Sequence, residues 1–158
     1  RNEMDFDKAI DIAFGACSDA QLRRRAEEYL EQCQSAPAIW MHLMNLLRQG
    51  LHTQRPEVAF WCCKTLSSVI PTKPLGPPET SEVTELLFGW MQKVLADGSI
   101  GTLVPYIRSM FAQVVGVLYQ KLWPESWPSF WPTLLQLCKA SPGPATFDMF
   151  LRLAQAVD

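Results

Sequence analysis

The chain predicts an all-α fold of the α-α superhelix kind, a solenoid of stacked helical hairpins in which each pair covers its neighbour's apolar face. Three observations lead there. No segment alternates apolar and polar residues as a half-buried strand does, whereas apolar residues recur at three- and four-residue spacing through most of the sequence. Prolines and glycines punctuate those stretches at places where they can open or close helices. The stretches also group into pairs that repeat along the chain.

The first stripe, Phe6, Ile10, Ala13 and Phe14, gives a leading helix over about residues 4–15 that Gly15 can close. Ser18 and Gln21 have the spacing of a capping box, which launches a helix buried through Leu22, Ala26, Tyr29, Leu30 and Cys33. Pro37 starts the next, with Ile39, Trp40, Leu43, Leu46 and Leu47 on its core face and Gly50 at its end. Pro56 opens a helix with Val58, Trp61, Cys62, Thr65, Leu66 and Val69 at helical spacing, and Pro71 stops it. Residues 71–78 carry too many prolines for regular structure and read as a loop.

Ser81 then caps a helix with Glu82 and Glu85 near its positive end. Its core face is Val83, Leu86, Leu87, Trp90, Val94 and Leu95, and Asp97 with Gly98 ends it. Residues 102–122 form the expected longest helix, apolar at Ile107, Met110, Phe111, Val114, Val115, Leu118 and Leu122, a stripe wide enough for packing on two sides. A corner of aromatics and prolines follows: Trp123, Pro124, Trp127, Pro128, Phe130, Trp131 and Pro132. Pro124 should end the preceding helix, and Pro128 or Pro132 can open the next. Leu134, Leu135, Leu137 and Cys138 mark that next helix, residues 141–144 a break, and Phe147, Phe150, Leu151 and Ala154 one further helix. In this register Trp123 extends the stripe that ends at Leu122, and Trp127 and Trp131 stand at a helix entry, so the corner is read as a clamp on its hairpin.

The first helices of successive pairs begin near residues 19, 56, 103 and 145. Those intervals lie around the roughly 40–47 residues of HEAT and armadillo repeats, and exceed the ~34 of a tetratricopeptide unit. The expected division is a leading helix at 4–15, repeats at 18–50, 55–97 and 102–141, and the first helix of a fourth repeat at 144–158. A compact helical bundle is the rival architecture.

With 158 residues, 48% apolar and 19% charged, the chain has the composition of an ordinary globular domain. No run reaches the ~18 apolar residues of a membrane span, and the N-terminus lacks signal-peptide order. It opens without a starting Met and closes inside a helical pattern, so it is expected to be a piece of something longer. Five cysteines at irregular spacing read as buried reduced thiols of a cytosolic or nuclear protein, and with His42 and His52 they offer no zinc frame. A net charge of -2 argues against a freestanding nucleic-acid module. In the basic cluster, Arg23 and Arg24 are expected to pair with Glu27 and Glu28 across a solvated face, contact with phosphate or an acidic partner being the alternative.

There is no phosphate-binding glycine loop, metalloprotease helix or nucleophile elbow, and neither histidine has a carboxylate at useful spacing. No enzymatic activity, cofactor, metal or catalytic residue is therefore expected. The informative positions are those the core does not claim on the second helix of each pair, where a stacked array presents its inner face to a partner. They are Met41, His42, Asn45, Arg48 and Gln49, then Glu85, Phe88, Gln92 and Lys93, then Gln136 and Lys139. Phe88 stands opposite its helix's core stripe, to meet a partner or to tuck against a neighbouring repeat.

Two stretches resemble a known family at this point. Residues 21–30 followed by Trp40 resemble the N-terminal repeat of importin-β-type transport receptors, and Trp123, Pro124, Trp127, Pro128 and Phe130 resemble the third repeat of the exportin branch. Residues 35–40, 58–62, 87–92 and above all 147–158 are similar to the N-terminal region of the tRNA-exporting members. The resemblance implies a HEAT superhelix that binds Ran-GTP and tRNA together, passes nuclear pore proteins, and shuttles as a monomer between nucleus and cytoplasm. It implies that this segment grips Ran through the inner positions named above and that tRNA is held mainly by the rest of the chain. An exportin for another protein or RNA cargo and a HEAT scaffold unrelated to transport are the alternatives.

Overall fold

The computed structural model describes residues 3–158. Among them are eight α-helices, two short 3-10 turns and no strand: α1 (Phe6–Phe14), α2 (Ala20–Cys33), α3 (Ile39–Gln49), α4 (Pro56–Val69), α5 (Pro77–Ala96), α6 (Pro105–Leu122), α7 (Phe130–Ala140) and α8 (Pro144–Val157). They pack in two layers. In one, α4 lies on α6 and α6 on α8, with the α1–α2 pair leading the row. In the other, α3 lies on α5 and α5 on α7. This is the all-α solenoid order predicted from the sequence, built by stacking neighbours along the chain. No helix among the described residues is long and apolar enough to cross a membrane.

Local chemistry sets most helix ends. Asp5 caps α1 by accepting from the amide of Lys8. Four helices open with proline in the first turn, Pro56, Pro77, Pro105 and Pro144, where the missing N–H would have had no partner. Gly50 and Gly98 close α3 and α5 through positive φ, 98° and 79°, a conformation that a side chain would strain.

The structure corrects several ends. Asp19, not Ser18, caps α2, its carboxylate accepting from Gln21 and Leu22 at 3.0 and 3.1 Å. Asp and Ser are near-equal caps, so two adjacent candidates leave the choice to geometry. Helix α5 begins at Pro77, so Ser81 is an interior residue and Glu79 takes the first-turn acidic position. Consecutive prolines read as a breaker, yet both fit the first turn, whose amides have no intrahelical partner. At 20 residues α5 is consequently the longest helix, ahead of α6 at 18. Arg23 does not pair with Glu27: its guanidinium donates to the carbonyls of Ala13, Gly15 and Cys17 at 2.8 to 3.1 Å. It thus satisfies the open end of α1 and fixes the α1–α2 turn.

The core is continuous between the layers, with Leu43, Leu66, Leu87, Met91, Phe111, Phe130 and Leu134 fully buried. In the aromatic corner α6 ends at Leu122 and α7 begins at Phe130. Trp127 and Phe130 are buried, while Trp123 is exposed and lies flat on Tyr119, with ring centroids 5.0 Å apart. Trp123 therefore does not continue the core stripe. Trp131 is half-buried, its indole donating to the Tyr119 hydroxyl at 3.2 Å. Leu135, Phe147 and Leu151, read as helix-stripe residues, are exposed. The buried face of α8 is Thr146, Met149 and Leu153 instead.

Candidate functional site

The inner positions named from sequence lie on α3, α5 and α7, the three helices of one layer. Their side chains do not form one surface. On α3, Met41, Asn45, Arg48 and Gln49 are exposed, whereas His42 is half-buried with Phe6 stacked on its ring at a centroid distance of 4.2 Å. On α5, Glu85, Gln92 and Lys93 are exposed, but Phe88 is 7% exposed. Its ring sits 5.2 Å from Trp127 and 5.6 Å from Phe130.

Phe88 is thus a core residue and leaves the candidate partner face. The physical reason is that α5 is sandwiched. Val83, Leu87, Trp90 and Val94 form one buried stripe and Phe88, Met91 and Leu95 a second, as a helix between two neighbours requires. A single-stripe reading of α5 placed Phe88 outside. Gln136 and Lys139 on α7 are exposed.

Four of the candidates converge. Arg48, Gln49, Glu85 and Lys93 line a cleft of about 250 Å³ between the end of α3 and the second half of α5. Trp90 and His52 line it too, and the Trp90 indole N–H donates to Nδ1 of His52 at 2.9 Å. Arg48 is held by Asn45 and by an ion pair with Glu82. Glu82 also accepts from the Trp40 indole at 3.3 Å, so it fastens α3 to α5 rather than serving the helix dipole. The cleft is open and of mixed charge, with Arg48, Lys93 and Glu85 all among its lining residues. Such a surface suits recognition of a polar partner by charge and hydrogen bonding, and it holds no nucleophile paired with a base.

Sequence reasoning missed His52 and Trp90 as parts of this cleft, and Glu82 as the carboxylate that holds Arg48 at its edge. One signal was present. Each inner helix carries a basic residue in its last turn, Arg48, Lys93 and Lys139, where the helix dipole favours a cation. The cysteines are free thiols: Cys62 and Cys63 are buried, and Cys17, Cys33 and Cys138 partly so. Burial raises the Cys63 thiol to about 12 and pushes Cys62 well up as well, so both stay protonated and inert at neutral pH.

The geometry defines a class: an all-α helical-repeat fold with a polar, mixed-charge cleft in the layer of α3, α5 and α7. No protein-family model matches the chain. Among characterised proteins it is similar to Exportin-T of Dictyostelium discoideum, with 25% identity over 156 residues. That alignment takes in 98% of this chain and 14% of the relative, so the chain spans about one seventh of the protein it matches. The similarity is distant and supports a relationship to exportin- and importin-like transport receptors at the level of the group.

Proposed function

We propose that this chain is the N-terminal segment of a nuclear export receptor that carries tRNA, non-enzymatic, with Ran-GTP gripped by the inner layer. The observation that supports the reading is extent: one alignment at 25% identity takes in 98% of the chain. The helical hairpins α2–α3, α4–α5 and α6–α7, with α8 opening another, are then the repeats bounded near 18–50, 55–97 and 102–141. Ran would meet the α3–α5 cleft first, through Arg48, Gln49, Glu85 and Lys93, with Met41, Asn45 and Gln92 beside it and Gln136 and Lys139 further along. Transfer RNA would be held mainly by other parts of the receptor, in keeping with the net charge of -2 here. Nuclear pore proteins would be met in transit between nucleus and cytoplasm. Ran and cargo then help each other by reciprocal coupling, commonly on the order of 1–3 kcal/mol.

The test uses the full-length receptor with Ran loaded with GTP or GDP. Selective retention of the GTP form, together with tRNA retained only when Ran-GTP is present, is expected. Equal retention of the two Ran forms would sink the reading, and Ran-dependent retention of a protein cargo in place of tRNA would move it to another exportin. Lys93→Glu removes an exposed cation from the cleft. It should weaken Ran-GTP binding by roughly fivefold or more, about 1 kcal/mol, with the melting temperature nearly unchanged.

A further inference from the structure

Two sets of polar contacts join α3 and the turn after it to α5 among the described residues. Glu82 takes Arg48 and the Trp40 indole. About two turns further along α5, the Trp90 indole donates to Nδ1 of His52 at 2.9 Å. His52 lies on the 3-10 turn Leu51–Thr53, directly after the positive-φ Gly50, and a Cβ on that glycine would come within 2.9 Å of the imidazole. We infer that the Trp90–His52 bond is a proton-operated latch on the α3–α5 cleft, closed while the imidazole is neutral and released when Nδ1 takes a proton.

The argument starts from the two rings. An indole N–H can only donate, so the nitrogen facing it accepts and carries no proton, which puts the imidazole proton on Nε2. Histidine changes charge between about pH 5 and 8, and the imidazolium has a donor at both nitrogens. Two donors then face each other across a part-buried contact, and the bond is lost. Trp90 is buried against Phe111, with ring centroids 4.8 Å apart, so the turn moves rather than the indole, and Gly50 is the joint at which it leaves α3.

Charges of both signs surround His52. Arg48 of α3 and Glu85 and Lys93 of α5 line the cleft with it, and Asp97 at the end of α5 is close enough for the two charges to interact. The imidazolium therefore gains the attraction of Asp97 as it loses the indole, while Arg48 is already taken up by Glu82. The second cleft that His52 borders, of about 140 Å³, is lined by uncharged residues of α4, α6 and the turns before them. The latch is thus made at neutral pH and lost as the pH falls. As a regulation of Ran binding it rests on the function proposed above, but the bond is tested without Ran.

In the full-length protein, hydrogen exchange read by mass spectrometry compares the peptides covering 47–54 and 86–94 at about pH 7.5 and pH 5.5, corrected for the intrinsic pH dependence of exchange. Protection there is expected to fall at least about threefold at the lower pH. His52→Asn sets an amide oxygen where Nδ1 stands and does not titrate, and Trp90→Phe removes the donor, so each should abolish that fall. An equal fall in either variant, or none in the parent, would overturn the latch. Ran-GTP retention, measured in parallel, should follow protection in the parent and change less with pH in His52→Asn. Retention unchanged with pH in a parent whose protection falls would show that the latch does not govern the cleft, and would overturn the inference too. No retention at either pH, with protection still pH-dependent, would end the Ran reading and leave the latch standing.

Discussion

Arg23 and Asp148 show how single side chains hold this stack where no motif announces them. Arg23 spends its donors on three carbonyls at the end of α1, a role that sequence alone gives to a glycine or a last-turn cation of the same helix. Asp148 accepts from Arg152 on its own helix at 2.8 Å and from Arg108 of α6 at 3.0 Å, and Arg152 reaches on to Ser109. The hydrogen bond from Arg152, followed by that from Arg108, holds the Asp148 carboxyl below the usual carboxylate range. A depressed folded-state value means that the ionised group adds stability above the unfolded value of about 3.9 and loses it as the pH falls through the folded one. Asp148→Asn should therefore flatten the acid limb: between pH 5 and pH 3 the variant is expected to lose less stability than the parent. Because the side chain is 37% exposed, the difference belongs to surface ion pairs, under about 1 kcal/mol. Parallel acid limbs in thermal melts would show that Asp148 adds nothing.

At the scale of the element, two glycines within helices make opposite demands. A Cβ on Gly116 of α6 would stand 2.6 Å from the carbonyl oxygen of Ala156, so α6 and α8 cross there backbone to backbone. A Cβ on Gly89 of α5 would meet nothing within 4 Å. Alanine gains about 1 kcal/mol over glycine in a helix interior, and overpacking costs about 1–3 kcal/mol. Gly89→Ala should thus raise the melting temperature, and Gly116→Ala should lower it because the last turn of α8 must shift. A rise in both would mean that α8 yields freely.

The helix pattern around these glycines was legible, since stripe, proline and cap act within one turn of themselves. Ends with two admissible solutions were not. Ser18 and Asp19 could each cap α2, and Pro77 could break a helix or open one. The aromatic corner was legible as a helix end, but the exposure of Trp123 depends on Tyr119 lying beneath it.

The whole molecule is a pair of layers in which each helix from α3 onward rests on the next but one, and this explains what the candidate site kept and lost. Periodicity reports which face of a helix is apolar and is silent on how many neighbours share it. The exposed Arg48, Glu85 and Lys93 were therefore readable from a single stripe, whereas the second buried stripe of α5, with Phe88 in it, appears only once α3 and α7 both lie against that helix. Likewise His52 joins the cleft through a hydrogen bond to a residue of α5, a pairing that local spacing does not encode.

The same layering makes stability a sum over neighbouring contacts. Phe88→Ala removes the ring that joins α5 to Trp127 and Phe130, which should cost about 3–5 kcal/mol. In native-state hydrogen exchange the loss is expected at the amides of α5, α6 and α7, while α1 and α2 keep their protection, because Arg23 and their own packing hold them independently of the aromatic cluster. Loss of protection spread evenly from α1 to α8 would instead show one cooperative unit, and the view of the chain as separable stacked hairpins would have to be given up.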